Sequence, residues 1–215
     1  MKLNPEKTRY MIFNFCRSAN FQTRLQLDNI LVEQVHQTKL LGVLISDDLT
    51  WHANTSSIVN KAYMRMSILR KLFEFKLNLK DLLQIYMLYI RSVVEQSCVV
   101  WGSSITKEEC EKIERVQKIA LRIIYKEKYI CYKNALNLSM LPTLADRRVK
   151  LSLTFALKCL NSPYTNDMFP VNNNKMTRVS DIFHVPHANT DRFNAIHFMT
   201  RQLNKFYKTS RENLN

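Results

Sequence analysis

The sequence has 215 residues, a net charge of +14 and a pI near 9.7, and 46% of its residues are hydrophobic. This length suits one domain or two small ones, and the hydrophobic content excludes global disorder. Only two glycines are present, which excludes the glycine-rich phosphate loops of nucleotide-binding proteins. The positive charge favours nucleic acid as a partner; an acidic membrane, or a basic surface that serves only solubility, is the alternative.

The first part of the chain carries short apolar segments that are typical of strands. Between Thr8 and Ile45 these segments are RYMIFNF, TRLQL, ILVEQV and KLLGVLI. They predict a short antiparallel β-segment within residues 1–50. A small sheet of this kind exposes unpaired backbone groups, so we expect these strands to favour self-association.

Asp47 and Asp48 directly follow the last of these strands. Adjacent carboxylates raise the question of a two-magnesium site for nucleotidyl transfer, which requires carboxylates that converge on both ions. Neighbouring residues of an extended segment point to opposite faces, and aspartate is common in turns and at helix starts. We therefore interpret the pair as structural.

Helical periodicity begins after Trp51. One face of a first predicted helix carries Val59, Tyr63, Met66, Leu69 and Phe73. Asn78 is a candidate N-cap for a second helix, in which two adjacent apolar faces indicate a central position in a bundle. These faces comprise Leu82, Tyr86, Tyr89 and Val93 on one side and Leu83, Met87, Ile90 and Val94 on the other.

Two further helices are predicted downstream. Thr106 and Glu109 have the spacing of a capping box at the start of a third helix. Pro142 is placed in the first turn of a fourth, which runs through RRVKLSLTFALKCL. Beyond Asn161 the sequence is loop-like until HFMTRQLNKFY. The predicted fold class is α+β, mostly α, with a short β-segment followed by a helical bundle.

Cysteine usage and hydropathy bear on the compartment. The five cysteines form no C-x-x-C pair and no zinc-finger spacing, so we expect reduced thiols in an intracellular protein and no metal site. The most apolar stretch, Leu82–Val100, is interrupted by Gln84, Arg91, Glu95 and Gln96. It predicts a buried helix and no membrane association.

The third predicted helix carries a candidate nucleic-acid-binding surface. At about 100° per residue, Ile113, Val116, Ile119, Ala120 and Ile123 fall on one arc of this helix. Five cations fall on the neighbouring arc, and we name them the cationic stripe: Lys112, Arg115, Lys118, Arg122 and Lys126. Such a stripe can follow a phosphate backbone, and a solvated helix face is the alternative. Among the nearby Tyr125, Tyr129 and Tyr132, we expect a core role for at least one.

Four motifs occur in the order and spacing of a known family. LNPEKTRYMIF, KLLGVLISDDLTW, IRSVVEQSCVVWGSS and IERVQKIALRII resemble the C-terminal part of reverse transcriptases from non-LTR (LINE-type) retrotransposons, especially jockey-like elements. The resemblance covers residues 1 to about 160. The tail matches less well, and Asn54 stands where relatives often have a histidine.

The resemblance implies roles for particular residues. Lys7 in NPEKT matches the palm lysine that approaches the triphosphate as a proton donor. KLLGVLI is similar to the primer-grip hairpin, which makes Leu41, Gly42 and Val43 primer-grip-like. The helices after Trp51 look like the thumb, which holds the template–primer duplex without sequence preference. The implied domains are a partial palm over residues 1–50, a helical thumb and extension over 51–160, and an irregular tail with a short helix over 161–215.

In this family the magnesium-binding aspartates lie upstream of NPEKT. Because the sequence starts at Met1, just before that motif, we expect it to lack both aspartate motifs, to bind no cofactor and to have no independent enzymatic activity. The predicted function is that of a polymerase remnant which binds RNA or DNA. The alternative is a basic helical module that binds an acidic protein.

Overall fold

The computed structural model describes residues 4, 7–14, 24–172, 181–187 and 195–212. Helices make up most of this part of the chain, and short strands lie near its start. The prediction of an α+β, mostly α protein is confirmed. Contacts divide the chain into two compact units, Met1–Ser56 and Ser57–Asn215, and the second unit includes the segment that was expected to form an irregular tail.

The described residues of the first unit form three two-stranded sheets. Their strands are β1 (Arg9–Tyr10), β2 (Gln26–Leu27), β3 (Ile30–Leu31), β4 (Glu33–Gln34), β5 (Gln37–Leu40) and β6 (Val43–Ser46). The β2–β3 and β5–β6 pairs are antiparallel, as expected, whereas β1 pairs with β4 in parallel. A parallel pair needs a long connection between its strands, and residues 11–32 provide it. Of the described residues 9–14 in the segment RYMIFNF, only the first two enter a strand.

The β5–β6 hairpin contains the three primer-grip-like residues. Leu41 and Gly42 form its two-residue turn, with φ values of 48° and 90°. Two consecutive positive φ values are typical of a type I′ turn, whose twist matches that of the strands. Gly42 adopts this conformation at no steric cost, whereas Leu41 is strained there and its side chain is 91% exposed. Val43 is buried.

The first two predicted helix starts in the bundle agree with the structure. Helix α1 spans His52–Glu74, and its predicted apolar face is buried or half-buried throughout. Helix α2 spans Leu79–Ile85, and the side chain of Asn78 accepts a hydrogen bond of 2.9 Å from the Asp81 N–H. The predicted N-cap is therefore confirmed.

The prediction of one continuous helix through Leu82–Val100 is wrong. A π-helix, Tyr86–Arg91, follows α2 directly and leads into α3, Ser92–Glu95. The chain then turns at Ser97, which has a φ of 51°, before α4, Cys98–Trp101. The buried Trp101 donates from Nε1 to the Gln96 carbonyl at 3.0 Å, so the packing of this indole stabilises the turn.

The third and fourth predicted helices are confirmed, and an additional helix lies between them. Helix α5 spans Lys107–Tyr125 and begins with the predicted capping box. It continues into a 3₁₀ turn, Lys126–Lys128. After a short connection follows α6, Tyr132–Ser139, which was not predicted from the sequence. Helix α7 spans Leu144–Leu160.

Pro142 does not lie in the first turn of α7. Thr143 is the N-cap, and its hydroxyl accepts a hydrogen bond of 3.1 Å from the Asp146 N–H. A threonine side chain can bond an otherwise unpaired N–H at the helix start, and proline cannot. Pro142 therefore precedes the cap, and its carbonyl accepts from Gln117 Nε2 at 2.9 Å.

The end of the second unit has a core of its own. Helix α8, Ala195–Glu212, is 18 residues long, so the C-terminal helix is not short. Asn204 is buried, accepting from the Phe183 N–H at 2.9 Å and donating to the Phe183 carbonyl at 3.0 Å. These bonds fix an extended segment between α7 and α8. The core comprises Ala156, Cys159, Phe169, Phe183, Met199 and Leu203.

The described cysteines form no disulfide. Cys98 and Cys159 are buried free thiols, and Cys110 and Cys131 are also unpaired. Burial raises the pKa of the Cys98 thiol to about 11, so that it stays protonated. None of the helices in the described ranges is long and apolar enough to cross a membrane.

Candidate nucleic-acid interface

All five side chains of the cationic stripe are exposed. Four of them lie on α5, and its opposite side is buried by α2, α6 and α7. Lys126 is different, because α5 ends at Tyr125 and Lys126 takes a φ of 39° at the C-cap. The stripe is thus a solvent-facing surface whose last member lies beyond the helix.

The buried face of α5 is rotated relative to the predicted apolar arc. Ile113, Val116 and Ala120 are buried as expected, but Ile119 and Ile123 are only half-buried. Their places in the core are taken by the residues on the other edge of the arc, which are Gln117, Leu121, Ile124 and Tyr125. A fully buried glutamine is unusual and is stable only when its polar atoms are hydrogen-bonded.

Gln117 connects α5 to three other segments. Its Oε1 accepts from the Tyr86 hydroxyl at 2.6 Å, and its Nε2 donates to Tyr132 Oη and to the Pro142 carbonyl, each at 2.9 Å. The Tyr132 hydroxyl in turn donates to Glu114. This network fixes α5 against the π-helix, α6 and the start of α7, and thereby orients the exposed stripe.

The tyrosines of this network act as hydrogen-bond donors. Burial raises the pKa of Tyr86 well above its usual value. Burial, together with the hydrogen bond to Glu114, likewise raises the pKa of Tyr132. Both hydroxyls therefore keep their protons at neutral pH. The stability that their hydrogen bonds contribute is lost only as the pH rises beyond about 10, the pKa of tyrosine in the unfolded chain. Tyr125 is buried, which confirms a core role for at least one tyrosine of this region.

Carboxylates reduce the positive charge at the N-terminal end of the stripe. Glu108 lies one turn before Lys112, and its Oε1 is 2.7 Å from Lys112 Nζ. Glu111 is exposed and falls on the same arc of the helix. The sequence shows both glutamates, and the spacing of four residues between Glu108 and Lys112 is the signal that could have identified the pair.

Three cations in the middle of the stripe lack such neutralisation. Among the described residues, Arg115, Lys118 and Arg122 form no ion pair within 4 Å, and we name them the central cations. Each is about one helical turn from the next, which corresponds to roughly 5.4 Å along the axis. The positive charge of α5 is therefore concentrated at these three residues.

Aromatic rings lie beneath two members of the stripe. Lys118 Nζ lies 5.3 Å from the centre of the Tyr132 ring, and Lys126 Nζ lies 5.3 Å from the centre of the Phe73 ring. Both lysines are exposed, so the contact with the ring limits the positions of the ammonium group without removing it from solvent. The ring of Tyr132 thus contacts Lys118, and its hydroxyl belongs to the buried hydrogen-bond network.

Asp47 and Asp48 bond to different partners at the end of the β5–β6 hairpin. Asp47 Oδ2 lies 2.6 Å from His36 Nδ1, across the base of the β5–β6 hairpin. Asp48 Oδ1 accepts from both the Thr50 N–H and the Thr50 hydroxyl at 2.9 Å. The two carboxylates have different partners and belong to a turn, which supports their structural interpretation. In the described part of the chain, no group of three His, Cys, Asp or Glu side chains is placed to hold a metal ion.

The remaining predicted site residues lie in the first unit. Lys7 is exposed, and its backbone N–H donates to the Asn4 carbonyl at 3.2 Å. The primer-grip-like residues occupy the turn of the β5–β6 hairpin and the first position of β6. The cationic stripe belongs to the second unit.

Asn54 is a buried residue whose role the sequence did not indicate. Its Oδ1 accepts a hydrogen bond of 3.2 Å from the Leu44 N–H. The bond joins the start of α1 to β6 within the first unit. The only signal in the sequence was that Asn54 departs from the residue that the resemblance implies at this position.

The fold and the exposed cations describe a basic α+β protein with a cationic surface on α5. A stretch of 126 residues is 25% identical to a protein of Drosophila melanogaster described as a probable RNA-directed DNA polymerase from transposon BS, covering 58% of this chain and 14% of that protein. The chain thus spans about one seventh of the length of this relative. The similarity supports a relationship to transposon RNA-directed DNA polymerases. No family model matches the chain, and no solved structure matches it.

Proposed function

We propose that this chain corresponds to the end of the palm and the thumb of a reverse transcriptase from a LINE-type, jockey-like retrotransposon. In this proposal its second unit binds the template–primer, RNA or DNA, without sequence preference. The similarity to a transposon polymerase supports the origin. The observation that carries the binding function is the surface formed by the central cations on α5.

Binding at this surface follows from simple electrostatics. Lysine and arginine side chains that contact phosphates release condensed counterions, and this contribution is independent of base sequence. The Gln117 network fixes α5 in place, so the three charges are presented by a rigid helix. Their separation by single helical turns lets each cation contact a different phosphate.

The proposal includes no polymerase activity for this chain alone. Two-metal phosphoryl transfer needs carboxylates that converge on both ions. Asp47 and Asp48 instead bond to His36 and to Thr50. In this proposal Lys7 and the hairpin turn provide positioning groups of the palm, and the carboxylates that hold magnesium belong to other parts of a polymerase.

The test is the binding of a fluorescein-labelled RNA–DNA hybrid, measured by fluorescence anisotropy. We expect a dissociation constant on the order of 10⁻⁴–10⁻⁶ M at physiological salt, with little difference between hybrids of unrelated sequence. Replacing Lys112, Arg115, Lys118 and Arg122 together with glutamine should weaken binding, while the helical circular dichroism signal stays unchanged. Unchanged affinity at low salt would show that the stripe is only a solvated face.

Cross-linking provides a second readout that needs no substitution. A hybrid carrying a photoreactive nucleotide is irradiated with the wild-type chain, and the modified peptides are identified by mass spectrometry. Modified peptides from α5 and the following 3₁₀ turn support the proposal. Modification confined to α7 and α8 would contradict it.

A further inference from the structure

The second unit contains an open groove with a volume of 770 Å³. Helix α2 and the π-helix form one wall, and the end of α5, the 3₁₀ turn and α6 form the other. This volume lies within the range of about 300–1,000 Å³ that is typical of ligand pockets. The residues that line it are Leu79, Lys80, Leu83, Gln84, Met87, Leu88, Arg91, Tyr125, Lys128 and Leu138.

Large aliphatic side chains of the groove are exposed to solvent. Leu88 is 68% exposed, Leu138 is 54% exposed and Leu79 is 37% exposed. Leu83 and Met87 lie between them and are half-buried. Contiguous apolar surface of this kind, bordered by polar residues, is typical of interaction sites.

The π-helix supplies three of the lining residues. Met87, Leu88 and Arg91 all belong to Tyr86–Arg91, where the chain departs from α-helical geometry. Tyr86 at its start is fully buried and hydrogen-bonded to Gln117, so the segment is held in this conformation by the core. Single π-turns within helices are rare and occur frequently at functional sites.

The charge around the groove has one sign. Lys80 and Lys128 are exposed on opposite walls, and Arg91 contributes a third cation, although it pairs with Glu95 at 3.4 Å. No carboxylate occurs among the described residues that line the groove. A complementary occupant therefore combines apolar side chains with acidic groups at its edges.

The lining residues disfavour a nucleic acid as the occupant. Single-stranded bases bind by stacking on exposed aromatic rings. The aromatic residue that lines the groove is Tyr125, which is only 7% exposed, and the other apolar lining residues are leucine and methionine. Aliphatic surfaces that include methionine instead match the grooves in which amphipathic helices bind.

We propose that this groove binds an acidic amphipathic helix of a protein partner. Leucine-like side chains of that helix, spaced i, i+4 and i+7, occupy the surface formed by Leu83, Met87 and Leu88. Carboxylates along its two edges face Lys80 on one wall and Lys128 on the other. This binding uses a surface separate from the central cations and does not depend on them.

The test uses the full chain and a fluorescein-labelled helical peptide with leucine at positions i, i+3, i+4 and i+7 and glutamate at its other positions. Fluorescence anisotropy should show saturable binding, which Leu88→Glu weakens by about tenfold or more. The matched control is Met64→Glu on α1, because Met64 is also 68% exposed and does not line the groove. This control should change the affinity by less than about twofold. Circular dichroism confirms that both variants remain helical.

Three results would overturn the proposal. The first is the absence of saturable peptide binding to the wild-type chain. The second is equal binding of a peptide in which lysine replaces every glutamate. The third is a single-stranded RNA oligonucleotide that displaces the peptide and itself loses affinity in the Leu88→Glu variant, because the groove would then be a nucleic-acid surface. A photoreactive version of the peptide should modify α2 or the π-helix of the wild-type chain, and modification only elsewhere would likewise refute the proposal.

Discussion

The salt dependence of nucleic-acid binding should change by a calculable amount when the central cations are neutralised. Each phosphate contact contributes about 0.9 to the slope of log affinity against log salt for a duplex, and about 0.7 for a single strand. Replacing Arg115, Lys118 and Arg122 with glutamine removes three contacts if each cation binds one phosphate. The slope should therefore become shallower by about 2.7 for a duplex and about 2.1 for a single strand.

This difference in slope has a measurable consequence for affinity. Between 50 and 200 mM salt, the ratio of wild-type to variant affinity should shrink about 40-fold for a duplex and about 20-fold for a single strand. The assay is a fluorescence anisotropy titration at four or more salt concentrations. Lys112→Gln provides an internal comparison, because the ion pair with Glu108 already offsets that charge, and it should change the slope much less.

A charge-matched control distinguishes this surface from general attraction. Arg70, Lys150 and Lys205 are exposed cations on α1, α7 and α8, and replacing all three with glutamine produces the same change in net charge. We expect that variant to leave the slope nearly unchanged. An equal flattening by both triple variants would refute the reasoning, because the affinity would then arise from the net charge of +14 and not from α5.

Three further predictions follow from the structure. The purified chain should not extend a primer with magnesium or manganese, because Asp47 and Asp48 bond to separate turn partners; template-directed incorporation abolished by an alanine at either position would contradict this. Gln117→Leu should lower the free energy of unfolding by about 2–3 kcal/mol in urea titrations, because it leaves buried polar groups unpaired. As a control, Gln84→Leu at an exposed position should change the free energy of unfolding by less than about 0.5 kcal/mol. A loss below about 1 kcal/mol for Gln117→Leu would show that the network relaxes or admits water. Deleting residues 1–46 should improve solubility and preserve most of the helical circular dichroism signal, since residues 57–215 form a compact unit of their own. If the helices of that variant were unfolded, the strands would be an integral part of the core.

The starts of several elements could be read directly from the sequence. Asn78 caps α2, and Thr106 with Glu109 forms the capping box of α5, as predicted. A cap depends on hydrogen bonds between residues within three positions of each other, so the local sequence contains all the information required. The exposure of the stripe follows in the same way, because the four cations on one arc of α5 and Lys126 at its C-cap cannot be buried without partners.

Other features of α5 depended on its neighbours. The rotation that buries Gln117 and leaves Ile119 half-exposed was not predictable from hydrophobicity, which favours the reverse. It results from hydrogen bonds to Tyr86 and Tyr132, which are 31 and 15 residues away in the sequence. A periodic pattern identifies an apolar face, but a polar residue enters a core only when distant segments provide its partners.

The shape of the groove likewise depends on tertiary structure. The sequence of Leu82–Val100 indicates burial and helicity, and it contains neither proline nor glycine to mark the π-helix or the turn at Ser97. Both deviations occur where a large side chain is fully buried and hydrogen-bonded, with Tyr86 bound to Gln117 and Trp101 bound to Gln96. The sequence by itself therefore determined the class of fold, the caps of α2 and α5 and the exposed charge, because these depend on near neighbours. The packing of distant segments decided where the helices deviate and which surface remains open, because those geometries are stable only when the core supplies the contacts that compensate for them.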